Sequence, residues 1–181
     1  MPENPRPAGG KSGRVVLVGF MGSGKTTTGR ALARLLGWGF RDLDRVVEKR
    51  VGLSVAEIFS RHGEAFFRAE ELRAAEELAD HDRFVIAAGG GAFVQPATRA
   101  ALSAGATVVW LRCDLDTVLG RVNPNGSRPL AGSRERMSIL LAEREPSYCL
   151  ADLTVDSGTG GPEEIARGIA EAIRARRSVD R

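Results

Sequence analysis

The stretch GFMGSGKTTTGR, residues 19–30, follows a short apolar run at residues 15–18 and opens directly into a helical pattern. Gly19, four intervening residues, Gly24, Lys25 and Thr26 complete the phosphate-binding loop pattern, in the strand-then-helix context that confirms it. Glycines let backbone N–H groups turn inward around the β- and γ-phosphates, the following helix adds the positive end of its dipole, Lys25 reaches phosphate oxygens and Thr26 offers a hydroxyl to Mg²⁺. A chain with this feature is constrained to an α/β arrangement in which strand and helix meet at a nucleotide. The nucleotide contacts are expected on Gly22, Ser23, Gly24, Lys25, Thr26 and Thr27.

The remaining pattern extends that unit. Strands are expected at residues 15–18, 40–43, 84–88, 107–111 and 153–155, separated by helical stretches. Residues 25–36 carry apolar side chains at 31, 32, 35 and 36. Ser54 with Glu57 makes a capping box, and Pro162 sits where a first-turn proline belongs ahead of Ile165, Ile169 and Ile173. Continuous apolar strands alternating with helices imply a parallel sheet covered on both faces. The segment NPNGSRPLAGS, residues 123–133, has the turn chemistry of a long loop, usually a lid or mobile connection in a compact domain.

A length of 181 residues with 43% hydrophobic content fits one domain, preceded by a Pro- and Gly-rich tail over residues 1–13. Cys113 and Cys149 lack metal-ligand or CxxC spacing, so a reduced, cytoplasmic setting is expected, and no stretch approaches the length of a membrane span. Net charge is +3, but acids and bases are interleaved, so nucleic acid is not an expected partner; the terminal IRARRSVDR reads as a solvated basic helix end. Only three of the 26 basic residues are lysines, Lys11, Lys25 and Lys49, so a lone arginine carries little information here.

The other strand ends say what the nucleotide serves. Motors and switch GTPases usually end a later apolar strand in a Mg²⁺-holding carboxylate. Here the third strand runs into Gly89, Gly90 and Gly91, and no Asn-Lys-x-Asp guanine-reading motif occurs. Carboxylates appear instead at the second strand, where Asp42 and Asp44 lie two apart. An extended backbone would point both to one face. One can support Mg²⁺ while the other orients or deprotonates an attacking hydroxyl, and the three glycines allow backbone to approach a small substrate. Taken singly, these residues also suit turn aspartates and a tight strand-to-helix turn.

Together the segments resemble the shikimate kinase family, over about residues 14–174. Asp42-Leu43-Asp44 is similar to its DxD segment, Phe67-Arg68-Ala69-Glu70-Glu71 to its FRxxE segment, and Gly89-Gly90-Gly91 to its GGG segment. Arg128-Pro129-Leu130 resembles the lid's RPL segment, and the run from Arg144 to Tyr148 its R-x-P-x-Y stretch. The resemblance implies a three-layer α/β/α fold of the P-loop, nucleoside-monophosphate-kinase-like kind, with a five-stranded parallel sheet in the order 2-3-1-4-5. It implies ATP-dependent phosphorylation of the 3-hydroxyl of shikimate, on the route to aromatic amino acids, with Mg²⁺ as cofactor and a monomeric enzyme.

Carried over by position, Asp44 would hold and activate the hydroxyl. Arg68 and Arg144 would fork the carboxylate, and backbone at Gly89, Gly90 and Gly91 would complete a pocket against the helical segment at about residues 45–80. Thr26 and Asp42 would support Mg²⁺; Lys25 and Arg128, the latter brought in by the lid, would meet the transferring phosphoryl group; Arg121 would pack near adenine. Bidentate guanidinium groups suit a carboxylate substrate and compensate its approach to Asp44, and Glu71, three residues after Arg68, can fix the rotamer of Arg68. Read alone, Arg144 would be a solvated helix residue. Several family members carry an arginine just before the last helix, where this chain has SGTGG at residues 157–161. Two other readings stay open: another small-metabolite kinase of the same fold, such as a gluconate kinase, and a nucleotide-binding switch without catalysis.

Overall fold

The computed structural model describes residues 13–121 and 134–179. Five strands, β1 (Arg14–Val18), β2 (Gly39–Asp42), β3 (Phe84–Ala87), β4 (Ala106–Arg112) and β5 (Leu153–Asp156), form one parallel sheet in the order β2-β3-β1-β4-β5. Among the described residues, seven α-helices connect and cover them: α1 (Lys25–Leu36), α2 (Leu43–Val51), α3 (Val55–Ala79), α4 (Pro96–Ser103), α5 (Leu115–Arg121), α6 (Arg134–Tyr148) and α7 (Pro162–Val179).

The central strand explains the layering. Every residue of β1 is buried, and alternate side chains enter two separate cores. Val15 and Leu17 pack with α1 and α7 through Leu32, Ile165 and Ile169. Val16 and Val18 pack on the opposite face with Leu43 and Val47 of α2, Ile58 of α3 and Met137 of α6. A strand with hydrocarbon on both faces has no polar alternation to show, which is why it reads as an unbroken apolar run.

Local signals act as their chemistry requires. The Ser54 side chain accepts the Glu57 N–H while the Glu57 carboxylate accepts the Ser54 N–H at 2.9 Å, closing the capping box of α3. Pro162 begins α7. Gly63, at φ 81°, bends α3 in its first half. Buried Arg14 ties the sheet to the ends of two helices, donating to the carbonyls of Ala79 and Ala104.

One expectation fails in an informative way. The second strand ends at Asp42, and Leu43 is the first residue of α2, so Asp44 lies in a helical first turn and not on an extended strand. The buried Leu43 side chain is drawn into the core beneath α2, and an acid in the first turn is favoured by the helix dipole. The two aspartates therefore share a site through a strand-to-helix corner rather than through strand alternation. The lid loop at residues 123–133, with Arg128, and nearly all of the tail at residues 1–13 lie outside the described residues.

Candidate active site

The parallel strands all end at one edge of the sheet, and the first loop there is the glycine-rich one. Gly19 (φ 139°) and Gly24 (φ 86°) occupy backbone conformations that side chains disfavour, and a methyl group on Gly19 would lie 2.6 Å from the Leu111 carbonyl oxygen. Lys25, buried at the start of α1, folds over the loop and donates to the carbonyls of Gly19 (2.8 Å) and Phe20 (2.7 Å). The Ser23 hydroxyl is buried inside the same loop, and Thr27 donates to the Gly24 carbonyl.

Thr26 joins this loop to the neighbouring strand. Its hydroxyl donates to Asp42 Oδ2 at 2.7 Å, so the carboxylate ending β2 is fixed directly over the first turn of α1. Asp44, two residues on, faces Gly89: a methyl group there would lie 2.5 Å from Asp44 Oδ1 and 3.0 Å from Glu71 Oε1. Thr26, Asp42, Asp44, Arg68, Glu71, Arg144 and the three glycines all line one cavity of about 270 Å³. Met21, Val55, Phe59 and Phe67 give it an apolar wall.

Arg68 and Arg144 are placed in the cavity by different neighbours. Arg68 donates to Glu71 Oε2 at 2.7 Å and to Glu64 Oε1 at 3.1 and 3.2 Å, which fixes its fork. Burial works against the Arg68 charge, but Glu71 and Glu64 outweigh it and hold its pKa above the ordinary value. Arg144 is buried, not solvated as its bare sequence context suggests; its guanidinium lies 5.8 Å from the Phe20 ring centroid, and a methyl group on Gly90 would lie 3.3 Å from Arg144 Nη1. Gly91 is closer still to the other arginine, with the position of a methyl group 2.5 Å from Arg68 Nη2. The missing side chains of Gly90 and Gly91 are therefore what admits both guanidinium groups.

Glu71 contributes more than its sequence position promised. Its carboxyl is buried, and Oε1 has no hydrogen-bond partner. Burial pushes its pKa up to about 7, with Arg68 pulling the other way and Asp44 adding to the rise. Tyr148 also escaped sequence reasoning as a site residue: its hydroxyl donates to the Gly90 carbonyl from inside the core. The signal available was its spacing, four residues after Arg144 on one helix.

Among the described residues, Thr26 is the one expected nucleotide contact that lines the cavity. Arg121, at the end of α5, has its guanidinium 3.8 Å from Cys113 Sγ, and Arg128 lies outside the described residues. In the segment before α7, buried Ser157 donates its hydroxyl to the Arg112 carbonyl at 3.0 Å.

A glycine-rich loop ending in Thr26, the aspartates Asp42 and Asp44, and the arginines Arg68 and Arg144 beside one small cavity fit a kinase for a hydroxylated acid, and comparison with known proteins decides the family. The shikimate kinase family profile matches residues 21–174. The chain belongs to the shikimate kinase family. Shikimate kinase from Moorella thermoacetica is 48% identical over 165 residues, covering 90% of this chain and 95% of that protein. The structure of Acinetobacter baumannii shikimate kinase in complex with shikimate superposes with a TM-score of 0.88 at 34% identity, covering 91% of this chain and 94% of that one. A Sinorhizobium meliloti gluconokinase, at 19% identity and a TM-score of 0.61, shares the fold. Membership makes this chain an ATP-dependent small-molecule kinase, and the sheet order and the P-loop kinase fold implied by the resemblance are both found. Among the described residues no helix is long and apolar enough to cross a membrane.

Proposed function

We propose that this chain is a shikimate kinase, transferring the γ-phosphoryl group of ATP to the 3-hydroxyl of shikimate. The observation that carries this reading is the convergence of Asp44, Arg68 and Arg144 on a cavity that also reaches Thr26 of the phosphate loop. A hydroxyl acceptor needs a carboxylate beside it, and an acid substrate needs positive charge at its far end. Both are present, and the apolar wall of Phe59 and Phe67 suits the carbon ring between.

In this reading Asp44 accepts a hydrogen bond from the 3-hydroxyl and takes its proton as the oxygen attacks the γ-phosphorus. Arg68, oriented by Glu71 and Glu64, and Arg144 fork the carboxylate, and their charge offsets the repulsion that it would meet from Asp44. Gly22, Ser23, Gly24, Lys25, Thr26 and Thr27 hold the triphosphate. Lys25 exchanges the Gly19 and Phe20 carbonyls for phosphate oxygens, a charge-assisted gain over neutral acceptors. Arg128 meets the developing charge in cis, and Arg121 packs near adenine.

The Thr26 hydroxyl and the Asp42 carboxylate, 2.7 Å apart, are hard oxygen donors of the kind Mg²⁺ takes together with water and substrate phosphates. Thr26 would hold the ion directly and Asp42 through water, and the positive charge supplied there would offset the charge of the transferring phosphates. Free Cys113 and Cys149 support a reducing, cytoplasmic setting. A site assembled within one chain supports a monomer. Arginines paired to neighbouring acids, as Arg45 is to Glu48, argue for no nucleic-acid partner.

The test is acceptor-dependent ADP release with shikimate, gluconate and a nucleoside monophosphate offered in parallel. Turnover with shikimate alone is expected. Preference for either rival acceptor, or ATP binding with no acceptor-dependent release, would overturn the assignment.

A further inference from the structure

The proposed site leaves unexplained why a phenol is committed to the triple-glycine loop. Tyr148 is completely buried, its ring 6.0 Å from that of Trp110, and its hydroxyl donates to the Gly90 carbonyl. Burial pushes the phenol up to about 12, although Arg144 pulls the other way, so it remains a donor at any ordinary pH. Arg144 stands one helical turn earlier on α6, over the same glycine. One face of one helix thus holds Gly90 twice, by its carbonyl and across its Cα.

Three consecutive glycines would otherwise sample many peptide orientations, because they lack the side chains that restrict φ and ψ. The described peptide bonds are all trans, and in a trans peptide the carbonyl and the next N–H point in opposite directions. Holding the Gly90 carbonyl toward α6 therefore directs the Gly91 N–H away from α6. Gly91 is the residue against which the Arg68 guanidinium lies. We infer that Tyr148 is a positioning residue for the carboxylate end of the acceptor: by anchoring the Gly90 carbonyl it sets the Gly90–Gly91 peptide so that the Gly91 N–H joins Arg68 and Arg144 in binding a carboxylate. The inference rests on the reading of the cavity as a site for a hydroxylated acid.

The experiment compares the wild-type chain with Tyr148→Phe, which keeps the ring and removes the hydroxyl, in the ADP-release assay. The KM for shikimate should rise about five- to tenfold, the change one lost hydrogen bond typically brings, while kcat and the KM for ATP stay within about twofold. The rise should vanish with an analogue whose carboxylate is replaced by hydroxymethyl. Failure of the wild type to turn over shikimate would remove the reading on which the inference rests. Normal wild-type turnover with an unchanged shikimate KM in the variant, or equal effects on both KM values, would overturn the inference alone and leave Tyr148 as packing. Should the variant not fold, the wild type still provides the test, because Tyr148 is the only tyrosine in the chain and 3-fluorotyrosine gives a single ¹⁹F resonance. That resonance should move with shikimate and not with the hydroxymethyl analogue; an unmoved signal contradicts the role.

Discussion

Gly89→Ala isolates the geometry of the reacting end. Gly89 is not among the residues at positive φ, so the backbone accepts alanine and the penalty lies in the methyl group. That methyl group would lie 2.5 Å from Asp44 Oδ1, where ordinary contacts begin near 3.4 Å, so the carboxylate must retreat by roughly 0.9 Å. Glu71 Oε1, 3.0 Å from the same point, crowds the methyl group from another side. A displacement near 1 Å in a group that orients an attacking hydroxyl costs on the order of 10²-fold in rate, and kcat should fall by about that factor. ATP affinity should hold, because the loop containing Lys25 is untouched. Gly91→Ala is the internal control: its methyl group meets Arg68 Nη2 at 2.5 Å, so the loss should appear mainly in the KM for shikimate. The assay is steady-state ADP release with each substrate varied in turn. A Gly89→Ala enzyme with kcat within about threefold of wild type, or the two variants showing the same split, would refute this geometry.

Two further outcomes follow from the same cavity. Asp42→Asn should raise the Mg²⁺ concentration needed for half-maximal activity by about tenfold or more, the usual effect of losing a group that orients a metal's water, with metal-free ATP binding little changed; an unaltered Mg²⁺ dependence would exclude Asp42 from that role. Glu71, with a folded pKa of about 7 against an ordinary 4.5, binds a proton in the folded chain that the unfolded chain has released over that interval. Its contribution to stability is therefore full below about pH 4.5 and lost as pH rises through 7, by up to about 3 kcal/mol relative to Glu71→Gln. Urea unfolding of both proteins at about pH 5 and pH 8 measures the difference, and parallel behaviour would contradict the buried, proton-holding carboxyl.

Much of the fold was legible because its signals are local. Residues 25–36 form a helix between the αL glycines Gly24 and Gly37, and the Ser54–Glu57 box forms as its spacing requires. The five strands emerge within a residue or two of their apolar runs. The corner at Leu43 was not legible, since an apolar residue between two acids fits an alternating strand as well as the first turn of a helix, and only burial beneath α2 decides. Arg144 posed the opposite problem: in an arginine-rich chain nothing local separates it from solvated neighbours, and its place is set by Phe20 and Gly90, more than 50 residues away in sequence. The raised pKa of Glu71 likewise depends on tertiary burial, which no spacing encodes.

In the proposed function two tasks fall to separate groups that meet at Thr26, the loop around Lys25 holding the nucleotide and Asp44 activating the acceptor. Asp44→Asn keeps the shape and removes the charge, so equilibrium ATP binding and shikimate phosphorylation measured on the same preparation separate the tasks. Phosphoryl transfer should fall by at least about 10²-fold, within the range typical of losing a general base, while ATP affinity stays within about twofold. Transfer that survives the substitution, or ATP affinity that collapses with it, would contradict that division.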